Sequence, residues 1–138
     1  MSDVEFFVTP GYGEMFRDTR HYSQAVRIGD RVEISGQGGW DDDLNFPESL
    51  ADEIARAFEN VERTLAAAGA SWQDVVHVNS YHVAGAGAAI DPVHAEVMVD
   101  QLRTWMPERM PIWTATGVSA LAATGMRVEI RVSAVVGD

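Results

Sequence analysis

The 138-residue sequence predicts an α+β domain in which amphipathic helices cover one face of a mostly antiparallel or mixed sheet. The first observation that favours this class is that short segments with β-type patterning alternate with two long segments that have apolar residues at helical spacing. The second is the pattern of the last segment. The last segment alternates strictly, with Val128, Ile130 and Val132 on one side and Glu129, Arg131 and Ser133 on the other. One sheet face therefore lies on the chain's own core, and the other is polar or covered by another subunit.

The first elements are strands, followed by a helix. A short strand in EFFVTPG ends at Pro10 and Gly11, and two further strands flank a hairpin turn at Gly29-Asp30. A polar loop, WDDDLNFPE, leads to the first helix, for which Ser49 is the predicted N-cap and Gly69 the C-terminal stop. The apolar stripe of this helix consists of Leu50, Ile54, Phe58, Val61 and Leu65.

The second half repeats the alternation of strand and helix. VVHVNSYHV is predicted as a strand, and Asp91-Pro92 opens the second helix because Asp caps well and Pro suits the first helical position. The predicted stripe of this helix consists of Val93, Val97, Leu102 and Trp105. IWTATGVSAL and MRVEIRVSAVV form the last two strands, which completes a single predicted domain, 1–138.

Composition and charge exclude several classes of protein. The chain has no cysteine, which excludes disulfides and thiolate nucleophiles, and no apolar run approaches the roughly 20 residues that span a bilayer. MSDVEFF lacks the basic start of a signal peptide, so we expect a cytoplasmic protein with no membrane partner. Nucleic-acid binding is not expected, because the formal charge is −11 and lysine is absent.

The polar motifs indicate neither a metal ion nor a cofactor. His77 and His82 are five apart in one strand and point to opposite faces. DDDLNFPESLAD lacks the glycine and the glutamate that a calcium loop requires, and SGQGG lacks the Gly-Lys-Ser/Thr ending of a phosphate loop. Glu129 is more informative: it is either a solvent-facing residue between Arg127 and Arg131, or a half-buried carboxylate that orients water.

Three segments in order, HYSQAVRIGDRVEISGQ, AFENVERTLAAAGASWQDVVHVNSYHV and GMRVEIRVSAV, together resemble the YjgF/YER057c/UK114 family, also called the RidA family. The resemblance extends from about residue 20 to the C-terminus. It implies a chorismate-mutase-like fold with two helices on one face of the sheet, assembled as a homotrimer with clefts between subunits. Family members with the full active site hydrolyse reactive enamines and imines, such as 2-aminoacrylate, to keto acids and ammonia.

The resemblance also implies the candidate site residues, position by position. Tyr22 matches the cleft tyrosine of the family, and Ser35 with Gly36 matches its Ser-Gly at a strand end. Glu129 matches the glutamate that holds the attacking water. His94 stands where deaminase members commonly have asparagine.

The family arginine that binds the substrate carboxylate is replaced. Its motif, Pro-x-Arg-Ser/Thr, aligns with Pro111-Ile112-Trp113-Thr114, so Trp113 takes the arginine position and Thr114 follows it. A rival alignment, which requires an insertion of several residues, makes Arg109 the cation. Because an indole offers one N–H and an apolar face where a guanidinium offers a fork of two bonds, we expect altered substrate selectivity.

Three functional classes remain open. The first is a hydrolase acting on the C–N bond of a small imine or enamine, with Glu129 positioning water and Tyr22, Ser35 and Thr114 binding polar substrate atoms. The second is a small-molecule binding or metabolite-sensing protein that keeps the cleft without the chemistry. The third is an endoribonuclease or translation inhibitor, an activity reported for some family members, and the charge of −11 opposes it.

Overall fold

The computed structural model describes residues 3–85 and 87–137. Within these ranges the elements are β1 (Val4–Phe7), α1 (Tyr12–Arg20), β2 (Ala25–Ile28), β3 (Arg31–Ile34), α2 (Leu50–Ala67), a short 3₁₀ turn (Trp72–Asp74), β4 (Val75–Val83), α3 (Pro92–Trp105), β5 (Ile112–Val118) and β6 (Val128–Val135). The strands form one mixed sheet in the order β1-β2-β3-β6-β4-β5. β4 and β5 run parallel because α3 connects them, and the other neighbours are antiparallel.

Helix α2 forms the main core against the sheet. Ser49 caps it as predicted, since its hydroxyl accepts a hydrogen bond from the Asp52 N–H at 3.0 Å. Gly69, with φ of 80°, lies just past its C-terminus in the left-handed conformation that glycine tolerates best. The predicted stripe is buried completely at Ile54, Phe58, Val61 and Leu65, and so are Val128, Ile130 and Val132 of β6. The inward faces of α2 and β6 are thus confirmed.

Helix α3 begins as predicted but presents a different face to the core. The Asp91 carboxylate accepts a hydrogen bond from the Val93 N–H at 3.0 Å, which confirms the cap. Val93 itself is exposed, whereas His94 and Met98 are buried. The predicted stripe was therefore wrong at its start, because the buried His94 finds a polar partner within the core and the apolar Val93 does not face it.

The two-helix architecture is corrected by a third helix, α1. It begins after Gly11, whose φ of 88° favours glycine and whose N–H donates to the Glu14 carboxylate at 3.3 Å. Tyr12 is fully buried. The helix packs in a second apolar cluster, which consists of Tyr12, Trp40 and Met126 together with Phe16, Phe46, Leu121 and Ala123. Tertiary packing, and not helix propensity, stabilises a helix this short.

The sheet face turned away from α2 and α3 has a polar middle and an apolar end. Cross-strand partners on the polar part are Asn79 with Arg131 and Tyr81 with Glu129. At the end formed by β1, β2 and the close of β6, Phe6, Ile28 and Val135 are exposed. No helix in the described ranges has the length and apolar character needed to cross a membrane.

Candidate functional site

A cavity of about 450 Å³ opens beside the start of β6 and the C-terminal half of α1. Its volume falls within the range of roughly 300–1,000 Å³ that is common for small-molecule sites. The lining is mainly aromatic and aliphatic, with one acidic and one basic side chain: Phe16, Arg20, Tyr22, Gly36, Trp40, Leu44, Phe46, Ala122, Ala123, Met126 and Glu129.

The close approach of two backbone segments fixes Glu129 in this cavity. Gln37 and Ile130 exchange two backbone hydrogen bonds of 2.8 and 2.9 Å, which bring Gly36 beside the Glu129 side chain. A Cβ atom on Gly36 would lie 2.0 Å from the Glu129 carboxylate. Gln37 is held in turn by the buried Tyr12 hydroxyl, which donates to its side-chain oxygen at 2.5 Å. Glycine at position 36 is therefore required for the carboxylate to stay where it is.

The Glu129 carboxylate has no hydrogen bond or ion pair with another described residue, and burial raises its pKa. Burial also raises the pKa of the Tyr22 hydroxyl, and of the two nearby charges Glu129 adds to that shift while Arg20 opposes it. A carboxylate that is partly desolvated and unpaired has the properties of a general base. The arrangement can hold a water molecule and accept its proton.

Three of the sequence-predicted site residues, Tyr22, Gly36 and Glu129, line this cavity together. Tyr22 stacks on Phe16 with ring centroids 5.8 Å apart. Ser35 lies next to Gly36 in sequence but does not line the same cavity; its hydroxyl bonds the Gln24 carbonyl at 3.3 Å.

Trp113 and His94 lie on the opposite side of the sheet from Glu129. β4 and β5 are in parallel register, with Val78 beside Trp113, and Val78 belongs to the core under the helices. The Trp113 indole accordingly points toward the helices and donates to the Ser80 hydroxyl at 2.8 Å. Within one chain, therefore, the structure does not bring the expected indole to the sheet face that carries Glu129.

A buried hydrogen-bonded chain accounts for both of these residues. It runs from Trp113 to Ser80, from Ser80 to His82 at 2.7 Å, and from His82 to His94 at 2.9 Å. The indole N–H can only donate, so the Ser80 hydroxyl accepts from it; the other two contacts join Ser80 Oγ to His82 Nε2 and the Nδ1 atoms of His82 and His94. Burial, with a smaller effect of His94, lowers the pKa of His82 to about 4, and burial also lowers that of His94. Burial thus favours the neutral form of both histidines.

The two remaining candidates do not reach the cavity within one chain. Thr114 is exposed and pairs with Asn79, and β4 separates its strand from β6. The Arg109 guanidinium donates to the Gln73 carbonyl. Residues 3–85 and 87–137 contain no group of three or more histidine or acidic side chains that could hold a metal ion.

The residues that sequence reasoning missed belong mostly to α1 and to the loop after β3. Phe16 and Arg20 are four residues apart, and so share one face of α1. Trp40 is 7% exposed and forms the wall behind Phe16, with ring centroids 5.6 Å apart. Glu14, three residues after Gly11 and followed by two arginines in the last turn, was the sequence signal for this helix.

The sequence is similar to known proteins over most of its length. The family model described as endoribonuclease L-PSP matches residues 14–136. The chain belongs to the endoribonuclease L-PSP family. Within it, the RutC family protein YjgH of Escherichia coli K12 is 35% identical over 115 residues, which cover 82% of this chain and 81% of that protein. A solved structure of YjgH gives a TM-score of 0.79 at 30% identity, covering 99% and 98% of the two chains.

Two further relatives of this L-PSP family chain bear on its grouping and chemistry. Rv2704 of Mycobacterium tuberculosis, a member of the YjgF/YER057c/UK114 family, gives a TM-score of 0.76 at 25% identity and covers 96% of this chain and 99% of its own. A 2-iminobutanoate/2-iminopropanoate deaminase of Dermatophagoides farinae is 40% identical over 62 residues, 44% of this chain and 48% of that protein. The family predicted from the sequence is confirmed.

Proposed function

We propose that this protein hydrolyses the C–N bond of a small imine or enamine, and that Glu129 holds the attacking water. The observation that carries the proposal is the unpaired carboxylate of Glu129, half-buried beside Gly36 in an aromatic cavity. The similarity to a protein named as an imine deaminase supports the same chemistry over the part of the chain that it covers.

The reaction needs one general base and no cofactor. A water molecule held by Glu129 loses a proton to the carboxylate as its oxygen bonds to the imine carbon, which gives a carbinolamine. The nitrogen takes up protons, the C–N bond breaks, and ammonia leaves while the oxygen becomes a carbonyl. Tyr22 lines the same cavity and is available to orient the substrate nitrogen or the water.

Altered selectivity is part of the proposal. Neither Trp113 nor Arg109 places a cation beside Glu129, because the indole faces the helices and the guanidinium bonds the Gln73 carbonyl. Before the fifth strand, the chain therefore lacks the arginine that, in the family it resembles, binds the substrate carboxylate through two hydrogen bonds. We expect slow turnover of 2-aminoacrylate, the small anionic substrate of full-motif relatives.

The test is ammonia release from a panel of imines generated by an amino-acid oxidase. We expect Glu129→Gln to lower the rate by about 10²–10⁴-fold, the usual contribution of a general base. Glu96→Gln, which removes a carboxylate from the exposed side of α3, should leave the rate unchanged. Activity that survives in Glu129→Gln would remove this residue from the mechanism. A wild-type protein that binds keto acids but releases no ammonia would favour the small-molecule binding alternative.

We also propose that the chain assembles as a homotrimer through the sheet face that carries Phe6, Ile28 and Val135. Phe6 is 68% exposed, and the three side chains lie together on a face that α2 and α3 do not cover. Burial of such a patch drives association. Light scattering after gel filtration should give three times the 15.1 kDa chain mass. Phe6→Asp should dissociate the assembly and Val93→Asp, at an exposed position on α3, should not; a monomeric wild type would contradict the proposal.

A further inference from the structure

An unpaired cation lies in the same cavity as Glu129. Arg20, the last residue of α1, lines the cavity, and its guanidinium has no hydrogen bond or ion pair with any residue in the described ranges. Arg17, one turn earlier, differs because it pairs with Asp18 at 2.9 Å. Arg131, near Glu129 in β6, is also engaged, through Glu33. Arg20 is therefore the basic side chain of this cavity that is free to receive a ligand.

The wall beside Arg20 is a continuous set of aromatic rings. Phe16 contacts Tyr22 at 5.8 Å and Trp40 at 5.6 Å between ring centroids, and Trp40 contacts Phe46 at 6.4 Å. Because Phe16 lies one helical turn before Arg20, α1 presents an apolar wall and a positive charge on the same side. A two- or three-carbon imine would leave most of this wall, in a cavity of about 450 Å³, without contact.

The charges in the cavity are complementary to a ligand with two distinct ends. The charge of Glu129 raises the pKa of the Tyr22 hydroxyl and the charge of Arg20 lowers it, because all three residues line this cavity. A guanidinium can hold a carboxylate through two parallel hydrogen bonds. A ligand whose carboxylate meets Arg20 can present a neighbouring C=N carbon to the water at Glu129.

We propose that Arg20 binds the carboxylate of a 2-imino or 2-oxo acid with a bulky apolar or aromatic side chain, which packs on the rings of Phe16, Tyr22 and Trp40. The inference rests on the proposed function in taking Glu129 as the place where the C=N carbon is attacked. It explains how a chain with Trp113 before the fifth strand accepts an anionic substrate: the cation comes from α1.

Binding of stable keto acids tests the inference without any turnover. Isothermal titration of the full-length protein would use phenylpyruvate, pyruvate, and phenylacetone, which lacks the carboxylate. We expect phenylpyruvate to bind at least about tenfold more tightly than either of the others. Arg20→Gln should weaken phenylpyruvate binding by about 10- to 100-fold, the value of a lost charge-assisted pair, and leave phenylacetone unchanged. Arg20→Lys should weaken phenylpyruvate binding to an intermediate extent, because lysine keeps the positive charge but cannot form the two parallel hydrogen bonds of a guanidinium.

The matched control is Arg17→Gln, which removes a charge from the same helix outside the cavity and should change neither affinity. Equal phenylpyruvate binding by Arg20→Gln and Arg17→Gln would overturn the inference, as would a wild type that binds pyruvate and phenylpyruvate equally or binds neither. Arg20-dependent binding without ammonia release would overturn the proposed function and leave the anion site in place. Ammonia release that Arg20→Gln leaves unchanged would overturn the anion site alone.

Discussion

Acidification from neutral pH to about 4 tests the buried histidine pair on the helix-covered side of the sheet. Burial, with a smaller effect of His94, lowers the pKa of His82 from 6.5 to about 4. The unfolded chain therefore binds a proton at this residue near pH 6.5, whereas the folded chain does so only near pH 4. The stability that neutral His82 contributes is complete above pH 6.5 and is lost as the pH falls toward 4.

The expected magnitude follows from that difference in pKa. Each pKa unit between the folded and unfolded states corresponds to about 1.4 kcal/mol, so His82 accounts for a loss of roughly 3 kcal/mol in the free energy of unfolding. The lowered pKa of His94 acts in the same direction. The raised pKa of Glu129 acts in the opposite direction, because protonating that carboxylate favours the folded state.

Urea unfolding of the wild type and two variants at a series of pH values would isolate the His82 contribution. His82→Gln should be less stable than the wild type at neutral pH. On acidification, its free energy of unfolding should fall by roughly 3 kcal/mol less than that of the wild type. His77→Gln, a change on the other face of the same strand, should follow the wild-type slope. Parallel curves for wild type and His82→Gln, or a His82 ring signal that titrates near pH 6.5 by NMR, would refute the reasoning.

Three further changes test the packing around the cavity. Gly36→Ala puts a Cβ 2.0 Å from the Glu129 carboxylate, so imine hydrolysis should fall about tenfold or more. Gly85→Ala should leave the rate unchanged, because its Cβ would meet only the Ala88 side chain, at an ordinary contact distance of 3.7 Å. Glu129→Gln should raise the free energy of unfolding at neutral pH in urea titrations, because it removes a half-buried charge without a partner; a lower value would contradict this. Asn60→Ala should lower the free energy of unfolding by about 2–3 kcal/mol, because the Asn60 amide donates to the carbonyls of Gly38 and Trp40 at 2.8 Å each. A negligible change in the same urea titration would contradict this.

The features that the sequence predicted correctly are those encoded over a few neighbouring residues. The cap at Ser49, the stop at Gly69 and the buried side of β6 follow from spacing and from side-chain chemistry within one or two turns. The order of segments was also specific enough to indicate the family, which the match to residues 14–136 confirms. Tyr22, Gly36 and Glu129 were named from that resemblance, and the structure brings all three to one cavity.

The remaining features depended on contacts between segments that are distant in sequence. Trp113 turns toward the helices because of the register of β4 against β5, and a shift of one residue would have exposed the indole on the other face. His94 is buried because His82 offers it a partner. The short helix α1 is stabilised mainly by packing on the cluster around Trp40, so only the tertiary structure could place Arg20 in the same cavity as Glu129. Local sequence determines which side chains share one face of a strand or helix, whereas the tertiary fold determines which other segments that face packs against.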